Sequence, residues 1–173
     1  MGRKMRNIKS ISALVLTGVL ILALSAFAFA EMPQDIKGHW AEKEIAKWVN
    51  KDLAGGYPDG TFKPGNNVSR AEFVALANRA FGISGGEGEI NFSDVKDTDW
   101  YYGEVKKGEN AGYIGGYPDG TFKPNGNISR QEVASIMSRL LDLGADASKA
   151  DFTDADKIAS WSEAAVNAVV AKG

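Results

Sequence analysis

The chain of 173 residues has no cysteine and a single histidine. Without cysteine there is no disulfide framework, so stability has to come from a packed core. With one histidine and no thiolate, a zinc site lacks its ligands. His39 would also have to serve any Ser-His-Asp arrangement, and nothing around it supplies a nucleophile. An excess of one charge sign is lacking: 20 Lys and Arg against 22 Asp and Glu leave a net charge of −2. Arg3, Lys4, Arg6 and Lys9 supply four positive charges at the start, and without residues 1–30 the balance becomes −6. That acidic balance argues against nucleic acid as a partner, because phosphate neutralisation needs an excess of Lys and Arg. No pair of carboxylates is singled out for acid–base work, and no Asp-rich loop has the acidic ladder of a calcium site. The chain therefore reads as a non-enzyme that uses no cofactor and no metal.

What is present is repetition. Gly55-Gly-Tyr-Pro-Asp-Gly-Thr-Phe-Lys-Pro64 recurs unchanged as Gly115 to Pro124. Internal repetition of this kind makes the repeat the unit to explain. Tyr57-Pro58-Asp59-Gly60 has the residues of a tight turn: a proline that presets φ, an Asp, and a Gly free to take positive φ. Ser69-Arg-Ala-Glu72 and Ser129-Arg-Gln-Glu132 come next at the same offset, each with the capping-box form ahead of an apolar run. One unit is thus a helix, a glycine stop, a rigid turn and a capped helix.

In chain order, a basic head, an apolar run from Ile11 to Ala30 and the ending Ala28-Phe29-Ala30 predict a secretory signal peptide over residues 1–30. The competing reading is a membrane anchor, since about 20 apolar residues can span a bilayer. The first unit covers 31–83. Ile45, Trp48, Val49 and Leu53 share one face of a helix expected over Ala41 to Leu53, and the capped helix is expected over Arg70 to Phe81. A glycine-rich linker occupies 84–89. The second unit covers 90–145, with a first helix at Tyr101 to Ala111 weakened by Gly103 and Gly108, each costing about 1 kcal/mol relative to Ala. Its capped helix turns Val133, Ile136, Met137, Leu140 and Leu141 inward. A partial third unit covers 146–173, with a helix over Ser162 to Lys172 and Ala165, Val166, Val169 and Val170 inward. It has no third decapeptide within these residues. Trp40, Trp100 and Trp161 mark the three starts.

These residues resemble S-layer homology repeats: an Asp ahead of His39-Trp40 or Asp99-Trp100, the Gly-Tyr-Pro-Asp-Gly-Thr-Phe-Lys-Pro loop, and the Ser-Arg-x-Glu helix start. The resemblance implies an all-α fold, mainly helical with ordered loops. It implies a pseudo-threefold domain whose first helices form a central three-helix bundle, here with its third repeat incomplete. It implies an exported protein of the cell wall or S-layer, held without a covalent bond. The implied partner is a secondary cell-wall polysaccharide, pyruvylated or linked to peptidoglycan, lying in grooves between repeats. The alternative is an interaction module whose incomplete third repeat is completed by another chain or by self-association.

Arg70 and Arg130 are the leading ligand candidates. Each sits in the first helical turn, where the macrodipole disfavours a cation and an anion has to compensate. A pyruvate carboxylate suits a guanidinium. So does an internal partner: Asp59, Asp119 or a capping Glu. Trp40, Trp100 and Trp161 can stack on a sugar or fill the core, and Trp48 reads as core. Gly56, Gly60, Gly116 and Gly120 serve backbone geometry and leave room for a sugar to approach main-chain amides. Lys63 and Lys123 meet an anionic polymer or are solvated loop charges.

Overall fold

The computed structural model describes residues 32–144 and 150–172, and the chain from Pro33 onward forms one compact unit. The expected signal peptide lies outside the described residues. Five α-helices are described: α1 Glu42–Val49, α2 Arg70–Phe81, α3 Tyr102–Asn110, α4 Arg130–Leu140 and α5 Glu163–Ala171. Short 3-10 turns at Gln34–Ile36 and Ala155–Lys157 precede α1 and α5. Among the described residues there is no strand, only one antiparallel bridge between Ser69 and Asn127. The protein is all-α.

Helix starts obey local chemistry. In α2, Ser69 accepts from the Glu72 N–H while the Glu72 carboxylate accepts from the Ser69 N–H, so two otherwise unpaired donors are satisfied. Ser129 and Glu132 repeat this at α4. Helix ends depart more from expectation. The apolar periodicity predicts a first helix reaching Leu53, but the helix stops at Val49 because Asp52 turns into the left-handed region at φ 57°. The inward face of α5 also differs. Asn167 and Ala168 are buried, while Val170 is exposed. Asn167 accepts a hydrogen bond from the Ala150 N–H, which gives its buried amide a partner.

The extensive helix contacts join successive units, α2 with α3 and α4 with α5. The core lies at the first of these joints. Ala71, Val74 and Ala77 of α2 meet Val105 of α3, with Tyr101, Tyr113, Ile114, Phe122 and Ile136 around them. Gly108 allows that approach: a Cβ there would stand 2.9 Å from the Tyr113 hydroxyl and 3.0 Å from Ile114. Its helix-propensity cost is therefore offset by packing. A polar chain crosses the same joint. Tyr113 donates to the Asn78 side-chain oxygen at 2.6 Å, and the Asn78 amide donates to the Glu104 carboxylate at 2.7 Å. Burial pushes the Tyr113 phenol well above its ordinary value. In α1, by contrast, Val49 is the only buried residue, and Trp48 is 38% exposed instead of core.

Candidate functional site

The two decapeptides form the same turn. Tyr57 N–H donates to Thr61 O and Gly60 N–H to Tyr57 O; Tyr117 and Gly120 repeat both bonds. Gly60 and Gly120 take positive φ, as the turn requires. Gly56 and Gly116 serve close approach, since a Cβ at either would stand 2.7 Å from a Thr carbonyl oxygen. Asp59 accepts from the Thr61 N–H and hydroxyl, and those bonds hold its carboxyl at about 2. Asp119 does the same for Thr121.

Lys63 and Lys123 are committed to their own loops. Both take positive φ, 56° and 55°, which is unfavourable for a side chain larger than glycine. Each ammonium pairs with the turn Asp, at 3.0 Å and 3.6 Å, and lies over the ring of Tyr57 or Tyr117. The strained backbone is clamped from outside by residues that sequence reasoning gave no role. Asp35 accepts from the Phe62 and Lys63 amides, and Asp94 accepts from Phe122 and Lys123. The available signal was their matching place ahead of Trp40 and Trp100, repeated by Asp154 ahead of Trp161.

The arginines separate sharply. Arg70 is 7% exposed and enters the second loop. Its Nε donates to Phe122 O at 2.8 Å, Nη1 to the Glu132 carboxylate at 2.9 Å, and Nη2 to Gly115 O at 3.5 Å. The guanidinium lies over both the Tyr117 and Phe122 rings. Its partner is thus a capping glutamate, but that of the next unit. Arg130 is exposed and has no partner among the described residues. Glu132 also accepts from Tyr117 and from Ser129. Burial raises its carboxyl, but these hydrogen bonds and the Arg70 charge outweigh burial and leave it below the ordinary 4.5. Glu72 accepts from Tyr57 at 2.7 Å and is lowered in the same way, against burial, without an arginine.

Core packing does not account for the repeat-start tryptophans. Trp40, Trp100 and Trp161 are 91%, 63% and 61% exposed. Each stands in the turn before its helix, and the next residue is the one that points inward at Tyr101 and Ser162. A groove of about 610 Å³ runs beside the first decapeptide. Trp100 and Asn125 from the second unit line it, together with Tyr57, Phe62, Glu72 and Arg79 from the first. His39 is structural, accepting from the Ala41 N–H through Nδ1 at 3.2 Å. Among the described residues, no group of acidic or histidine side chains could hold a metal, and no helix is long and apolar enough to cross a membrane.

A family model described as S-layer homology domain matches residues 34–74 and 91–134. Cell surface glycoprotein 1 of Acetivibrio thermocellus is 39% identical over 116 residues, covering 61% of this chain and 5% of the glycoprotein. The cellulosome-anchoring protein of the same organism is 35% identical over 128 residues, covering 68% of this chain and 28% of that protein. The surface-layer 125 kDa protein of Lysinibacillus sphaericus is 28% identical over 172 residues, covering 99% of this chain and 14% of that protein. The chain therefore spans less than a third of each of these relatives.

Proposed function

The chain belongs to the S-layer homology domain family, and from that premise we propose that it is a non-catalytic anchor of the bacterial cell envelope. It holds an exported protein to the cell wall by binding a secondary cell-wall polysaccharide, with pyruvylated sugar as the favoured chemistry, in grooves between repeats. The central bundle of first helices that the resemblance implies is not part of this reading, because the extensive helix contacts run from α2 to α3 and from α4 to α5. The names of the relatives, a cell surface glycoprotein, a cellulosome-anchoring protein and a surface-layer protein, support the envelope location.

One observation carries the carbohydrate reading: the three repeat-start tryptophans lie open to solvent. Exposing the largest apolar side chain at three equivalent places is costly unless a ligand covers it, and an indole face suits the C–H face of a sugar ring. Trp100 shares its groove with Asn66, Asn67 and Asn125, whose amides match sugar hydroxyls, and with Arg79, a partner for a ketal carboxylate. Arg130 is the repeat arginine offered to an anion, and Arg70 is assigned to the joint between units. Lys63 and Lys123 contribute positive potential near the loops, and Gly56, Gly60, Gly116 and Gly120 shape them.

The test is co-sedimentation of the protein with purified cell walls, before and after mild acid extraction of the secondary polymer. Binding is expected to vanish on extraction. It is also expected to fall at least tenfold in the Trp100→Ala, Arg130→Ala double variant, with unfolding unchanged. Binding that survives extraction would move the target to peptidoglycan, and a folded protein that binds no wall preparation would reject the reading.

A further inference from the structure

Residues 84–89, Ser-Gly-Gly-Glu-Gly-Glu, join the first unit to the second. The segment is pinned at both ends and bonded nowhere between. Ile83 N–H donates to Asn78 O at 2.8 Å where α2 ends, and Ser93 N–H donates to Gly120 O at 3.0 Å. Ile83, Ile90 and Phe92 pack against the core. From 84 to 91, no backbone or side-chain group makes a hydrogen bond or ion pair with a described residue. Within 84–89 every residue except Gly86 is exposed. Gly85, Gly86 and Gly88 take φ of 97°, 120° and 113°, a region that glycine enters at low cost and leaves as readily for an extended chain. An endopeptidase needs such a substrate: consecutive residues that are exposed, unbonded and free to extend in its cleft.

Residue type selects the class of enzyme. No Lys or Arg stands between Arg79 and Lys96, so an enzyme that cuts after basic residues has nothing to read here. Glu87 and Glu89 are exposed and have no partner among the described residues. Every other described glutamate lies within α1 to α5. Helical backbone cannot extend into a cleft without first unfolding locally, so those positions are protected.

A cut in this segment removes none of the contacts between the two sides. Ala71, Val74 and Ala77 ahead of it meet Val105, Tyr113 and Phe122 beyond it. Asn78 donates to Glu104 and accepts from Tyr113, and Arg70 donates to Glu132 and to Phe122 O. Ile128 N–H donates to Val68 O at 3.0 Å. The groove beside the first decapeptide also draws on both sides, with Tyr57 and Arg79 from one and Trp100 and Asn125 from the other.

We propose that 84–89 is a processing site for a glutamate-specific endopeptidase, and that the cut protein persists as two chains held by the α2–α3 joint. Water adds across the C–N bond that follows Glu87 or Glu89. The glutamate gains a free α-carboxylate, Gly88 or Ile90 gains a free amino group, and nothing is oxidised or reduced. The joint then becomes an association between two chains, because the covalent link no longer supplies a high effective concentration. Its stability, and with it the shared groove, comes to depend on protein concentration.

The test treats the full chain with a purified glutamyl endopeptidase under native conditions and follows the intact mass. The first cut is expected after Glu87 or Glu89, at least tenfold faster than after any glutamate in a helix. The two pieces should co-elute in size exclusion and part only in urea, with a urea midpoint that rises with protein concentration. Protein carrying Glu87→Gln and Glu89→Gln should stay whole at least tenfold longer, with the urea midpoint of the uncut parent. A first cut within a helix, a double variant cut as fast as the parent, or pieces that separate without denaturant would each overturn the proposal. N-terminal sequencing of the protein recovered from the cells that make it completes the test. A chain starting at Gly88 or Ile90 is expected, and a wholly uncut population would overturn the assignment as a processing site.

Discussion

Truncating Arg70 to Ala would leave the Glu132 carboxylate in a site where its side chain is only 15% exposed, without the charge that compensates it. Breaking a buried pair from one side is strongly destabilising, and a loss of about 3 kcal/mol or more is expected in urea unfolding. Arg130→Ala removes an exposed side chain with no described partner and should stay within about 0.5 kcal/mol of the parent. If the two substitutions cost the same, the joint described for Arg70 does not exist in solution. Glu132 also gives the molecule a pH dependence with a definite sign. Burial opposes its ionisation, but the bonds from Tyr117 and Ser129 and the Arg70 charge bring the carboxyl below 4.5 in the folded state. The folded protein therefore takes up this proton later than the unfolded chain. The associated stability is fully present above 4.5 and drains away as the pH falls through the folded value. Glu72 adds to the same slope. Urea midpoints should be flat near neutrality and fall below about pH 4.5, and Glu132→Gln should flatten that fall.

At the scale of the helix, the two glycines of α3 make opposite predictions from one propensity value. A Cβ on Gly103 meets nothing within 4 Å, so Gly103→Ala should stabilise by up to about 1 kcal/mol. A Cβ on Gly108 would press on Tyr113 and Ile114, so Gly108→Ala should destabilise by about 1–3 kcal/mol despite the better helix former. Thermal unfolding of the pair decides the matter, and two stabilising substitutions would mean that α3 does not sit against Tyr113. The helices also differ in what holds them. α2 and α3 pack on each other across the buried core, whereas α1 has eight residues and buries only Val49. Short helices are marginal without packing. Native-state hydrogen exchange should thus open α1 amides by local fluctuation, while α2 and α3 amides exchange only near global unfolding. Equal protection in all three would require a partner on α1. Capping boxes made the starts of α2 and α4 legible at the residue, because the chemistry lies within four residues. The end of α1 was not legible, because it depends on Asp52 adopting a left-handed turn within an apolar-periodic stretch.

For the whole molecule, the proposed wall binding is read by Trp100→Ala, with thermal unfolding as the control that the fold is kept. The all-helical class followed from the family resemblance; the three unit starts, the turn chemistry of the decapeptides and the capped helices came from the residues themselves. Each rests on contacts between residues close in the chain, where spacing and side-chain type are sufficient. The identical Ser-Arg-x-Glu starts could not reveal that one arginine is buried in the next loop and the other lies in solvent. Nor could apolar character reveal that the tryptophans face outward while Tyr101 and Ser162 turn in. Those outcomes depend on which loop stands beside which helix: Arg70 finds Glu132 across 62 positions, and Arg130 is exposed with no partner among the described residues. Burial is a property of neighbours brought together by the tertiary fold, and two copies of one local sequence can receive different neighbours.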